Sequence, residues 1–101
     1  MVFSNNHSAL EIGSWVYNKL GIEGSVMINI CPLDADGYCY ENAYIEINEK
    51  LSIAEQSVAI CHELIHWFQF QTVGEFEEDE AYSGELQLYK EYRSEANQTL
   101  H

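Results

Sequence analysis

The sequence contains one stretch whose residue types and spacing suit metal chemistry, HELIH at residues 62–66. On a helix, residues four apart lie one above the other on the same face. His62 and His66 can therefore point an imidazole nitrogen at a single cation about 2 Å away. Glu63 is rotated by about 100° around the helix axis and can reach a water molecule on that cation. This is the arrangement in which zinc acidifies a water molecule and a carboxylate accepts its proton.

The residues around this motif favour a working site over an accidental match. The neighbouring positions are all uncharged: Ile60, Leu64, Ile65, Trp67 and Phe68. They place the motif in the middle of a predicted apolar helix, where two histidines and a glutamate are costly to bury without a role. The simpler alternative is a surface helix face that carries unconnected polar residues.

A catalytic zinc ion takes three protein ligands and leaves one position for water, so the motif needs one further ligand. Carboxylates follow it closely, and Glu78, Glu80 and Glu85 are the candidates. Glu78 and Glu85 share a helical stripe that is otherwise apolar or aromatic, where a carboxylate needs a cation or hydrogen-bond donors. We therefore predict Glu78 as the third ligand. If Glu78 binds the metal, Glu85 can orient one of the histidines through a hydrogen bond, and the alternative is that Glu85 is an ordinary solvated glutamate. A tight hairpin of the two helices would instead favour Glu80 or Glu85.

The motif and the segment that follows it resemble a known class of enzymes. HELIH followed by EDEAYSGE is similar to the gluzincin class of zinc metallopeptidases, in which HExxH precedes a Glu-x-x-Ala stretch on a later helix. The similarity is greatest to small prokaryotic and phage proteins of that class. It covers roughly residues 44–92, about half of the chain.

The resemblance implies zinc-dependent hydrolysis of peptide bonds by a minimal zincin-like domain. It makes His62, His66 and Glu78 the ligands of one catalytic Zn²⁺ ion and Glu63 the general base. It also implies that a peptide or protein substrate is held in extended form along an edge strand just before the HExxH helix. The segment 43–48 stands at the expected place.

The elements that position these residues can be predicted from local patterns. Capping boxes and apolar stripes predict an N-terminal helix over 8–20, beginning at Ser8, and the HExxH helix over 53–72. A final helix is predicted over 76–98. Segments 25–31 and 43–48 have β-branched or alternating residues and predict strands of a small antiparallel sheet. We therefore expect an α+β fold in a single domain, 1–101.

The charge balance restricts the partners that this domain can have. Asp and Glu number 17 against 4 Lys and Arg, which gives a formal net charge of −13. Phosphates would be repelled, so we expect neither nucleic acid nor an anionic membrane as a partner. Two alternatives to the enzyme stay open. One is a zincin-like fold that keeps metal for stability or partner binding without hydrolysis, and the other is an acidic inhibitor that imitates nucleic acid.

Cysteine use and the N-terminal residues bear on the compartment. The three cysteines, Cys31, Cys39 and Cys61, cannot all pair within one chain, which favours a reducing environment. The N-terminal residues lack the basic start and apolar run of a signal peptide, and no stretch approaches the roughly 18 apolar residues of a membrane span. We therefore predict a cytoplasmic protein. The sequence leaves the physiological substrate and the oligomeric state open.

Overall fold

The chain folds into a small sheet covered by helices. The computed structural model describes residues 2–3 and 10–99, with side chains over 11–95. The elements are β1 (Val2–Phe3), α1 (Leu10–Leu20), β2 (Met27–Cys31), β3 (Gly37–Tyr40), β4 (Tyr44–Asn48), α2 (Ile53–Val73) and α3 (Glu78–Thr99). The predicted α+β fold is confirmed. Ser8, the predicted N-cap of the first helix, lies outside the described residues.

The helix that carries HELIH, α2, begins and ends at local signals. Ser52 Oγ accepts a hydrogen bond from the Glu55 backbone N–H, and the Ser52 N–H donates to Glu55 Oε1 at 3.0 Å. This capping box satisfies two donors that the first helical turn leaves free. Gly74 ends the helix with a left-handed φ of 77°, a conformation that costs glycine little. The predicted range 53–72 therefore agrees with the observed helix to within one residue.

Most of α2 is buried because it lies at the centre of the molecule. It packs against α1 and α3 and against strands β3 and β4. Ile60 and Leu64 are fully buried against the inner face of the sheet, in one core cluster with Ile28, Ile30, Ile45 and Ile47. A helix buried on nearly all sides is apolar around its whole circumference, except where polar residues have partners. The polar residues buried in the second half of α2 are those of the HELIH motif and Gln69.

The sheet is mixed, and the prediction of an antiparallel sheet was wrong in this respect. The strand order is β1-β2-β4-β3, with β1 and β4 both parallel to β2 and only β3 antiparallel to β4. The segment 32–36 carries the chain past the end of β4, so β3 does not pair with β2. The hairpin from β3 into β4 then returns the chain between β2 and β3, which makes β4 run in the direction of β2.

This order also corrects the assignment of the edge strand. Segment 43–48 was predicted to be the edge that holds the substrate, but β4 pairs on both sides, with β2 and with β3. Its alternation of Tyr44 and Glu46 with buried isoleucines arises because one face of the sheet is open to solvent. The edge on this side of the sheet is β3 (Gly37–Tyr40), which pairs only with β4 among the described strands.

Candidate metal centre

The two histidines of the motif lie one turn apart on α2, and their rings converge on a single carboxylate oxygen. His62 and His66 are 8% and 7% exposed, and their ring centroids are 4.6 Å apart. His62 Nε2 lies 3.0 Å from Glu78 Oε1, and His66 Nε2 contacts the same oxygen closely. One potential ligand atom from each of these three residues lies within 4.8 Å of the other two. Glu78 reaches them from the first turn of α3.

The other ring nitrogen of each histidine has a partner that fixes its proton. His62 Nδ1 is 2.6 Å from Glu85 Oε2, and His66 Nδ1 is 3.0 Å from Gln69 Oε1. Carboxylate and amide oxygens only accept hydrogen bonds at neutral pH, so each Nδ1 carries the hydrogen. The Nε2 atom of each neutral ring therefore has a free lone pair. Partners of this kind orient the histidines of metal sites from behind.

Three acceptor atoms that face one another need a positive charge between them. With neutral rings, the two Nε2 lone pairs and Glu78 Oε1 would repel each other unless a cation were bound. Two imidazoles and one carboxylate, with a position left for water, form the donor set of a catalytic zinc site. The residues present therefore fit a zinc ion. Protonation of the two imidazole rings would also remove this repulsion, and the same contacts would then be ion pairs with Glu78.

The three candidate carboxylates have different positions in the structure. Only Glu78 reaches the Nε2 atoms, since Glu85 lies behind His62 and Glu80 accepts a hydrogen bond from Gln69 Nε2 at 2.8 Å. Burial raises the pKa of Glu78, but when the rings are protonated the hydrogen bonds that His66 and His62 donate outweigh it and hold the pKa below its ordinary value. The stripe itself is less buried than predicted, because the Glu78 side chain is 61% exposed at the mouth of a cleft.

Glu63 has a buried carboxylate that points into the same cleft. The residue is 7% exposed, and its side chain makes no hydrogen bond with any other residue that the structure describes. Burial raises its pKa to about 7, against the lowering effect of the neighbouring His62 and His66. A carboxylate with a pKa near neutrality can both accept and release a proton under physiological conditions. In the ion-free site, Glu63 is therefore a proton-exchanging group in the same cleft as the two histidines.

The cleft itself has a volume of about 700 Å³, with a floor and two walls. Its floor is the exposed side of α2, one wall is β3 with the loop before it, and the other is the start of α3 with Phe76. Five carboxylates line it: Asp36, Glu55, Glu63, Glu78 and Glu85. The four Lys and Arg residues of the chain all lie elsewhere. The Tyr82 ring packs on His62 with 4.7 Å between centroids and is itself 58% exposed.

Gln69 is the residue of this site whose contacts the sequence did not predict. It is 3% exposed and is bonded to His66, to Glu80 and to both backbone groups of Glu77. A glutamine three residues after the second histidine lies on the same face of the helix, which was the available signal. Its partners on α3 depend on how the two helices meet, which no local pattern states.

No protein-family profile, curated protein or solved structure matches this chain. None of the helices in the described part of the chain is both long enough and apolar enough to cross a membrane. Any activity must therefore be inferred from the chemistry of the site itself.

Proposed function

We propose that this protein is a zinc-dependent peptidase. The observation that carries the proposal is the convergence of His62 Nε2, His66 Nε2 and Glu78 Oε1, with the carboxylate of Glu63, which has no hydrogen-bond partner among the described residues, in the same cleft. A site built only for structural metal would be closed and would have no use for a buried free base. The open cleft and the position of Glu63 favour hydrolysis over a purely structural role.

The residues of the site would divide the work of hydrolysis. His62, His66 and Glu78 would hold the zinc ion, which when bound supplies a more acidic water and polarises the scissile carbonyl. Glu63 accepts the proton of the attacking water at its carboxylate and delivers it to the leaving amine. Glu85 and Gln69 keep the two rings in the orientation that presents Nε2. Tyr82, which is 58% exposed and packs its ring on His62, would donate a hydrogen bond from its hydroxyl to the carbonyl oxygen of a bound peptide.

The substrate would be bound along β3. The outer edge of this strand has no partner among the described strands, so its backbone N–H and C=O groups are free to pair with an extended peptide. Gly37, Tyr38 and Cys39 of β3 line the cleft, next to Glu63. A peptide paired with β3 therefore passes the base and the three ligand atoms.

The charge of the cleft favours peptides with basic residues. Five carboxylates line it, and no Lys or Arg does. A cleft lined by one sign of charge concentrates ligands of the opposite sign. Asp36 and Glu55 are exposed, and the lining of the cleft also includes the apolar residues Val58 and Ala59. Lys and Arg side chains, which have apolar stems and charged ends, suit such a surface.

Zinc content and turnover together test the proposal. We expect the purified protein to bind one equivalent of zinc and to cleave members of a peptide library. Glu63→Gln should retain the zinc and lose cleavage, because it removes the base without touching a ligand. Glu75→Gln is the matched control, since Glu75 is exposed and does not line the cleft.

Each negative outcome has a definite meaning. If the purified protein contains no stoichiometric zinc and is unaffected by chelator, the histidines are ion-paired with Glu78 instead of binding metal, and the acidic inhibitor becomes the favoured function. Zinc binding with no cleavage in the wild type would favour a metal-stabilised binding protein. Cleavage that survives in Glu63→Gln would remove Glu63 from the mechanism.

A further inference from the structure

The amide of Gln69 connects the motif helix to the start of α3. Its Oε1 accepts from His66 Nδ1 at 3.0 Å and from the Glu77 backbone N–H at 2.8 Å. Its Nε2 donates to the Glu77 backbone C=O at 3.0 Å and to Glu80 Oε1 at 2.8 Å. One buried amide thus has four hydrogen bonds, which use both of its donors and both lone pairs of its oxygen.

We infer that Gln69 is a positioning residue that brings the third ligand to the metal centre. The inference rests on the function proposed above and adds a role that the HExxH pattern does not contain. Glu77 is fixed at both of its backbone groups by Gln69, and Glu78 follows it directly in the chain. Fixing Glu77 therefore sets where the Glu78 side chain starts, one residue before its carboxylate must meet His62 and His66.

The exposure of Glu78 is the reason that such a support is needed. Its side chain is 61% exposed at the beginning of α3, where the protein around it does little to restrict its rotamers. A ligand that must be ordered when the ion binds reduces the affinity by the cost of that ordering. Gln69 orders the backbone beforehand from a site that is 3% exposed.

Gln69 also determines which neighbouring carboxylate is free to bind the ion and which ring nitrogen of His66 carries the hydrogen. Its bond to Glu80 holds that carboxylate away from the ion, which leaves Glu78 as the ligand. Its bond to His66 keeps the hydrogen on Nδ1, so the Nε2 lone pair faces the ion. A glutamate at this position would keep the acceptor but lose both donors, and it would face Glu80 with a like charge.

Three variants test this role. Gln69→Met keeps the length of the side chain and removes every hydrogen bond. Gln69→Glu introduces repulsion with Glu80, and the double variant Gln69→Glu with Glu80→Gln restores a donor and acceptor between the two positions without changing their summed charge. Gln71→Met is the matched control, because Gln71 is an exposed glutamine of the same helix that bonds to the Glu23 C=O instead.

Zinc affinity, measured by competition with a chromogenic chelator, is the first readout. We expect Gln69→Met and Gln69→Glu to bind zinc about 10- to 100-fold more weakly than the wild type. Losses of this size are typical when a residue that hydrogen-bonds to a metal ligand is removed. The double variant should recover part of the loss of Gln69→Glu, because the bond to the Glu77 C=O stays missing, and Gln71→Met should match the wild type. Equal affinity in the wild type and Gln69→Met would overturn the inference, and so would an unrescued double variant that folds normally.

A second readout needs no metal and separates this inference from the proposed function. In chelated protein at a pH where the rings are neutral, nitrogen NMR reports which nitrogen of His66 carries the hydrogen. We expect Nδ1–H in the wild type and in Gln71→Met, with an increased share of Nε2–H and faster exchange of the Glu77 amide in Gln69→Met. An unchanged tautomer and unchanged exchange would overturn the role of Gln69. A wild type with this signature that nevertheless binds no zinc would overturn the peptidase proposal and leave Gln69 without a ligand to position.

Discussion

Glu63 lies directly against the backbone of Gly37. A Cβ atom at position 37 would be 3.1 Å from Glu63 Oε2, 3.0 Å from the backbone oxygen of Glu46 and 3.1 Å from Ile47 Cδ1. Contacts this short require the neighbours to move by a few tenths of an ångström. Because residue 37 has no side chain, the buried carboxylate of Glu63 can lie next to β3, the strand proposed to hold the substrate.

Gly37→Ala should reduce peptide cleavage without removing the metal. The added methyl group displaces Glu63 or pushes β3 outward, while the three ligand atoms on α2 and α3 stay in place. A misplacement of about 1 Å at a reacting group can cost about 100-fold in rate. The displacement here is a few tenths of an ångström, so we expect kcat to fall by roughly tenfold. Steady-state kinetics and zinc content of the same sample check this. Normal kcat in a folded variant would show that Glu63 has more room than the structure gives it.

Loss of the Glu85 carboxylate should weaken zinc binding through His62. Glu85 Oε2 is 2.6 Å from His62 Nδ1, and its side chain is only 16% exposed. Glu85→Leu removes the acceptor and should lower zinc affinity about 10- to 100-fold, whereas Glu85→Gln keeps a neutral acceptor and should lower it less. Competition titrations on both variants give the ranking. The reverse ranking would mean that Glu85 acts through its charge on the cleft and not through the ring.

The metal-free protein should lose stability as the pH rises, and Glu63 should be a main cause. Its pKa is raised from 4.5 to about 7 in the folded chain by burial. Between those values the folded chain holds a proton that the unfolded chain has released, so the free energy of unfolding falls with increasing pH. The effect is absent below about pH 4.5 and complete above about pH 7, and at about 1.4 kcal/mol per pKa unit it amounts to a few kcal/mol.

Urea denaturation in the presence of chelator measures this effect. The free energy of unfolding of the wild type should decrease more between pH 5 and pH 8 than that of Glu63→Gln, which has no proton to lose at this position. Comparing the two proteins removes the contributions that they share, including those of the histidines. Parallel pH profiles would show that Glu63 is more solvated than its 7% exposure indicates.

Salt should weaken the cleavage of basic peptides more than that of neutral ones. The Debye length falls from about 10 Å to about 3 Å between 0.1 and 1 M salt, which screens the exposed carboxylates of the cleft. We expect kcat/KM for a Lys- or Arg-containing peptide to fall over this range while that for a neutral analogue changes little. Asp36→Asn should reduce the difference, since Asp36 is exposed and lines the cleft. A preference for acidic peptides would contradict the charge argument.

The parts of the molecule that the sequence predicted well are those whose signals are local. The ends of α2 follow from Ser52, Glu55 and Gly74, all within a few residues of the ends that they define. The pairing of His62 with His66 follows from helical periodicity alone. Glu78 was selected from a shared stripe, although the structure explains its position by the first turn of α3 at the mouth of the cleft.

The predictions that were wrong or missing concern features that depend on residues distant in the sequence or on the packing of two helices against each other. Whether a strand is an edge depends on what pairs on both sides, so the alternation over 43–48 could not show that β4 lies between β2 and β3. Gln69 was not among the predicted site residues. Its importance comes from its hydrogen bonds with Glu77 and Glu80. These two residues lie beside it because of the way α3 packs against α2 after the turn at Gly74.

The short connection between α2 and α3 has a consequence for how the site forms. The contacts of Glu78 with His66 and His62 span only 12 and 16 positions along the chain and involve a single helix–turn–helix segment. Closing a loop of so few residues costs little entropy, and local contacts form quickly during folding. The three proposed ligands therefore belong to one helical hairpin, and an ion bound by them would stabilise that hairpin directly, without requiring the sheet to supply a ligand.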